Sequence, residues 1–206
     1  MEHKIQWAKA VKPVQEEIVL DEAAVKIAIK VIKKFEGCEL RAYPDPASEL
    51  SIELSKHGLL RKYMDGKFEL PDYLQKLSGA PWSLGYGETQ GVKQGDVWTL
   101  EEATSRLEAR VRGFMQGVLK AAPKLSKASP TRVAAVTSLA YNIGLEAFAK
   151  STCCKKIGTD EHVAAAEALL LFNKAGGRVL PGLIARRKVE KDLYMSVEIT
   201  QEAVPC

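Results

Sequence analysis

The carboxy-terminal part of this 206-residue chain is a succession of helical segments, each with its own start or stop signal, and this restricts the fold more than any other feature. Thr99-Leu-Glu-Glu is a capping box, with Glu102 three positions after the capping threonine, and the helical pattern behind it runs to Ala122 before Pro123 ends it. At about 1.5 Å per residue that helix spans roughly 35 Å, enough to connect two lobes. Ser129-Pro130 opens the next helix in the favoured order of cap then proline, and VAAVTSLAY within it is apolar around most of its circumference, which marks a buried helix. Glu161 to Phe172 and Pro181 to Tyr194 continue the helical pattern on either side of the Gly176-Gly177 turn.

The amino-terminal part is more mixed. Between Asp21 and Glu36 the apolar residues Ala24, Ala28, Val31, Ile32 and Phe35 recur at helical spacing, with Asp21 as N-cap and Gly37 as stop. The prolines of RAYPDPAS forbid continuation of that helix, and in PWSLGYGET the residues Trp82, Leu84 and Tyr86 alternate with small or polar ones, so the two segments together predict a small sheet. Residues 49 to 80 carry short amphipathic stretches around turn signals at Asp65-Gly66 and Pro71, which predicts an inserted helical hairpin. The chain holds no internal repeat and no low-complexity tract.

Composition removes several classes of function. With 46% hydrophobic and 27% charged residues the chain has an ordinary globular balance, and its apolar stretches are interrupted by charges before membrane-spanning length. The first twenty residues mix lysines and glutamates and contain no uninterrupted apolar run of the kind a secretory signal needs, so the expected location is a cytoplasm until something else releases the chain. Cys38, Cys153, Cys154 and Cys206 match neither a metal-ligand spacing nor a disulfide framework, and reduced structural thiols are expected. His3, His57 and His162 have no companion ligands, which argues against a catalytic metal; no cofactor is expected. The net charge of +4 assists approach to an anionic polymer, yet no arginine-rich stripe interleaved with aromatics favours nucleic acid as the partner.

Glycoside hydrolysis needs one carboxylic acid to protonate the leaving oxygen and one carboxylate to handle water or an oxocarbenium-like transition state. Glu36 and Asp45 are candidates for this pair. Glu36 ends its helix, where unpaired carbonyls disfavour negative charge, and follows the apolar Phe35, so dipole and desolvation both favour the protonated form that a general acid requires. Asp45 lies between Pro44 and Pro46, which restrict the backbone around it. A glutamate ending a helix and an aspartate in a proline turn are also common surface features, and spacing alone does not decide between the two readings.

The segments FEGCELRAYPDP, WSLGYGETQGV, LAYNIGLEAF and NKAGGRVLPGLIARRKVE, in this order, resemble the phage-type lysozymes, the endolysins of tailed bacteriophages that form glycoside hydrolase family 24. The resemblance covers roughly Val25 to Tyr194. It implies an α+β fold that is mostly helical, with a small sheet-containing lobe, a larger helical lobe and the cleft between them. The family's catalytic glutamate falls on Glu36 and its aspartate on Asp45, nine positions later. A third family position, a threonine that holds the nucleophilic water, falls on Ser83, which keeps the hydroxyl and loses the methyl that restricts its rotamer. Asn142 of YNIG matches a cleft-lining position whose amide binds an N-acetyl group; the alternative is an asparagine that ends its helix before Gly144. Glu88 stands where many relatives place histidine and either buttresses the site or faces water. Tyr43 and Trp82 offer flat faces to sugar rings or belong to the core of the sheet lobe. Arg186 and Arg187 match the family's terminal basic helix, and their spacing from Glu190 predicts a solvated salt-bridge face.

The resemblance further implies hydrolysis, with inversion, of the β-1,4 bond between N-acetylmuramic acid and N-acetylglucosamine in bacterial peptidoglycan. The chain would act as a monomer, without stable membrane insertion, passing from the host cytoplasm to the periplasm and wall once a separate membrane-permeabilising protein acts. It divides the chain into an N-terminal extension over 1–20, a lysozyme domain over 21–195 with the helical insertion at about 49–80 placed over the cleft, and a tail over 196–206. Two rival readings stay open at this point. A lytic transglycosylase uses a glutamate acid and needs no water-directing aspartate, and a wall-binding module keeps the fold without the chemistry.

Overall fold

The computed structural model describes residues 18–196. Most of the N-terminal extension, including the apolar Ile5, Trp7 and Val11, and the tail from residue 197 onward, with Cys206, lie outside the described residues.

Helix α1 (Glu22–Glu36) starts where the sequence marks it, with the Asp21 carboxylate accepting hydrogen bonds from the amides of Ala23 and Ala24. It stops at Gly37, whose φ of 67° turns the chain away from the helix axis at no Cβ cost. Strand β1 (Glu39–Pro44) follows and pairs antiparallel with β2 (Trp82–Gly85), placing Tyr43 opposite Ser83 and Pro44 opposite Trp82. The expected small sheet is therefore this two-stranded ribbon.

A two-stranded ribbon has too little apolar surface to be stable alone. The missing surface comes from residues 49–80, which form three short helices, α2 (Glu49–Lys56), α3 (Leu60–Met64) and α4 (Asp72–Gln75), instead of the predicted hairpin. Asp65-Gly66 closes α3 and Pro71 opens α4, so the turn signals are used as read, but they divide the segment more finely than a single hairpin. Leu50, Leu54, Tyr63 and Leu74 pack with Ala42 and Trp82 of the strands into one apolar cluster. The segment thus supplies most of the core of the sheet lobe.

Helix α5 (Leu100–Ala121) carries both bonds of the capping box between Thr99 and Glu102 and leads to the helical lobe. There α6 (Pro130–Ile143), capped by Ser129, is the central element, packed against α1, α5, α7 (Leu145–Lys150) and α10 (Pro181–Met195). Ala134, Val136, Leu139 and Ala140 of α6 meet Ala28 and Ile32 of α1 and Val111 and Met115 of α5 in the larger core. Helices α8 (Thr152–Gly158) and α9 (His162–Leu169) complete the lobe, with Cys153 and Cys154 buried and unpaired. Gly176 and Gly177 form the turn of a small hairpin, β3 (Lys174–Ala175) and β4 (Arg178–Val179), where the sequence predicts only a turn. Among the described residues no helix is long and apolar enough to cross a membrane.

Candidate active site

Glu36 is the last residue of α1, at the point where the helical lobe hands the chain to the sheet lobe. Its side chain is 23% exposed, and its Oε1 accepts a hydrogen bond of 2.6 Å from Nη1 of Arg186, which lies on α10, 150 residues away in sequence. The same guanidinium stands over the Phe35 ring, 5.7 Å from its centroid. The guanidinium thus ties the end of α1 to α10 at the junction of the lobes.

The strand pair brings further groups to this place. Tyr43 and Ser83 face each other across the ladder on the side opposite Trp82, and both are half-buried. Burial raises the Tyr43 phenol above its usual value, the Ser83 hydroxyl opposes that rise, and the Glu39 and Glu36 carboxylates add to it. Tyr43 therefore lies between the Ser83 hydroxyl and the Glu36 carboxylate in its electrostatic surroundings. Tyr141 of α6 borders the same region: burial pushes its phenol up to about 12, with Arg110 opposing and Glu36 and Glu88 contributing. Its hydroxyl donates to the carbonyl of Tyr86 at 3.0 Å and so ties α6 to the segment after β2.

Asp45 leaves the strand directly after Pro44. Its amide donates to the carbonyls of Gly79 and Pro81 at 3.0 and 3.1 Å, and its Oδ1 accepts from the Ala47 amide at 2.8 Å. The loop is closed on itself and on the end of the 49–80 segment, which restrains the carboxylate as the flanking prolines suggest.

Asn142 is exposed on the last turn of α6, next in sequence to Tyr141. The cap of that helix is Gly144, whose amide bonds to the carbonyl of Ala140, so Asn142 is not needed as a terminator. Glu88 neither faces open water nor contacts Glu36: its Oε1 accepts from the amides of Thr89 and Gln90, and its Oε2 lies 3.9 Å from Arg110, which itself donates to the Gly87 carbonyl. It braces the turn after β2. Trp82 belongs to the core of the sheet lobe.

Arg186 and Arg187 correct an expectation. Spacing predicts a solvated face with Glu190, but these three residues are 3%, 0% and 0% exposed and lie in the interface of α10 with α6. The i to i+4 rule identifies neighbours along a helix and is silent on whether that face meets water or another helix. No sequence signal other than the family pattern of the basic helix could have linked Arg186 to Glu36. Among the described residues no group of histidine, cysteine, aspartate and glutamate gathers to hold a metal ion. A cavity of about 540 Å³ lies elsewhere in the helical lobe, bordered by Lys124, Lys127, Arg132 and His162.

The family model described as "Phage lysozyme" matches residues 66–190. The chain belongs to the phage lysozyme family. Among its phage lysozyme relatives, the endolysin of Acyrthosiphon pisum secondary endosymbiont phage 1 is 36% identical over 122 residues, which make up 56% of this chain and 80% of that protein. The endolysin of Bacillus phage PZA is 30% identical over 169 residues, 82% of this chain but 53% of that protein, so the chain spans about half the length of that relative. The solved structure of an endolysin from Escherichia coli O157:H7 phage FAHEc1 superposes with a TM-score of 0.60 at 28% identity, covering 88% of this chain and 96% of that one. The phage lysozyme match begins at Gly66, so it takes in Ser83, Asn142 and Arg186, whereas Glu36 and Asp45 lie before it.

Proposed function

We propose that this chain is an endolysin that hydrolyses the β-1,4 bond between N-acetylmuramic acid and N-acetylglucosamine in bacterial peptidoglycan, with Glu36 as general acid, Asp45 as general base and Ser83 orienting the attacking water. The observation that carries this reading is that Tyr43, paired with Ser83 across the ribbon, lies near enough to Glu36 for that carboxylate to bear on its phenol, at the junction of the two lobes. Arg186 engages Oε1 of Glu36, so Oε2 is the oxygen that carries the proton to the glycosidic oxygen as the C1–O bond breaks. Water bonds to C1 from the other face of the ring and gives its proton to Asp45, aligned by the Ser83 hydroxyl, which turns the β-linkage into an α product. Asn142 binds an N-acetyl group from the helical side.

In this reading the chain works as a monomer, held in the host cytoplasm and reaching the periplasm and wall when a separate protein permeabilises the membrane. Its net charge of +4 favours approach to an anionic polymer.

Mass spectrometry of the fragments released from purified walls tests the reaction. The expected products carry reducing N-acetylmuramic acid ends, one water heavier than the alternative. Anhydromuramic ends would mean that the sugar's own hydroxyl displaces the leaving group, which is transglycosylation and leaves Asp45 without the role given to it.

A further inference from the structure

Behind the Arg186 that engages Glu36 lie two further buried charges, Arg187 and Glu190, with no part in the hydrolysis proposed above. Each nitrogen of the Arg186 guanidinium has a different duty: Nη1 donates to Glu36 at 2.6 Å, Nη2 to the Ser138 carbonyl at 3.2 Å, and Nε to Oε1 of Glu190 at 3.1 Å. That Glu190 oxygen also accepts from the Ser138 hydroxyl at 2.7 Å and from Nη2 of Arg187 at 3.1 Å. Glu190 is wholly buried, and burial raises its carboxyl above the usual range against the pull of Arg187, Ser138 and Arg186.

We infer that Glu190 is a positioning residue for the hydrolysis, its carboxylate holding the Arg186 guanidinium in the one orientation that presents Nη1 to Glu36. The inference rests on Glu36 being the acid. Two further observations support it. Stability alone does not account for the cluster, because a buried ion pair is often no better than apolar residues of the same volume. The cluster is moreover imperfectly satisfied: Arg187 Nε lies 2.8 Å from Glu190 Oε2 but out of line, so Nε, Oε2 and Arg187 Nη1 have no hydrogen-bond partner among the described residues. The well-made bonds are those that converge on Arg186 and on the Glu190 oxygen holding it.

The arrangement also sets the charge that Glu36 meets. The Glu190 carboxylate, bonded to the far side of the Arg186 guanidinium, offsets part of the positive field at Glu36. The ionisable groups around Glu36 are Tyr43 from β1, Tyr141 from α6 and Arg186 and Arg187 from α10. Those around Glu190 are Arg186 and Arg187 on its own helix and Cys153 from α8. Among these, Glu190 is the anion bonded to the guanidinium that holds Glu36.

Steady-state kinetics on soluble wall fragments test the inference with Glu190→Gln, which keeps the shape and removes the charge. The expected result is a kcat lower by roughly tenfold to a hundredfold with little change in KM, and a pH profile of kcat/KM that differs from wild type. Lost charge balance lowers stability, so rates are taken well below the melting temperature. The double variant Arg187→Met/Glu190→Gln restores the balance of charge and serves as the folded test should the single variant not fold. It is expected to keep the lowered kcat. A double variant with wild-type kcat would mean that Glu190 only neutralises Arg187, and a single variant with wild-type kcat and pH profile would overturn the inference directly. Glu36→Gln run alongside separates the two readings: an active Glu36→Gln removes the acid itself, whereas an inactive Glu36→Gln beside a wild-type-like Glu190→Gln overturns the positioning role alone.

Discussion

Ser83 stands opposite Tyr43 on the ribbon, half-buried, and its hydroxyl opposes the rise that burial imposes on the Tyr43 phenol. If that hydroxyl aligns the attacking water, Ser83→Ala removes one hydrogen-bond partner, worth about 0.5–1.5 kcal/mol for a neutral bond and more beside an ionised carboxylate. Wall-lysis rates are expected to fall by roughly tenfold, since about 1.36 kcal/mol corresponds to that factor. Ser83→Thr retains the hydroxyl, and its β-branching suits a strand, so its rate should stay near wild type. Lysis rates measured with thermal melts check both variants, and an alanine variant with an unchanged rate leaves Ser83 as an ordinary strand residue. At this scale the helix stop after Glu36 and the restrained loop of Asp45 were legible because both are local features. Arg186 was not, because its partner is 150 residues distant and its burial depends on how α10 meets α6.

The elements that bound the site were legible to different degrees, and for one reason. Helices α1, α5 and α6 carry their caps in sequence, and Asp21, Thr99 and Ser129 each make the predicted bond. The 49–80 segment misled because short helices of four to eight residues bury few side chains, and their pattern becomes clear only against the strands they cover. The end of that segment also holds the Asp45 loop. The Gly79 carbonyl accepts from the Asp45 amide, and the Trp82 ring lies so close to Gly79 that a Cβ there would stand 2.4 Å from Trp82 Cζ2. Gly79→Ala therefore forces the ring, the loop or both to move. Overpacking of this kind costs about 1–3 kcal/mol, and each 1 kcal/mol lowers the melting temperature of a chain this size by roughly 2–4 °C. Calorimetry should show that loss together with reduced lysis at a temperature where the variant is folded. An alanine variant with wild-type melting and activity would mean that the Trp82 contact does not hold the Asp45 loop in place.

The whole molecule consists of two apolar cores, a large one among α1, α5, α6 and their neighbours and a small one under the ribbon, with the candidate site where α1 passes from the first to the second. This division follows from the sequence order: the strand signals are confined to the stretch between α1 and α5, so the sheet lobe interrupts a helical body. It also explains why the site draws on distant parts of the chain. Glu36 and the loop of Asp45 come from one side of the interruption, Ser83 from its end, and Arg186 from the last helix of the body. The central claim is that Glu36 supplies the proton in this arrangement. Its most direct test is the rate at which purified walls lose turbidity with wild type and with Glu36→Gln, whose amide still accepts from Arg186 but donates no acidic proton. The account predicts a variant that keeps the wild-type circular dichroism and loses roughly 10²–10⁴-fold in rate, the usual contribution of a general acid. A folded Glu36→Gln that clears walls within a few-fold of wild type would contradict it.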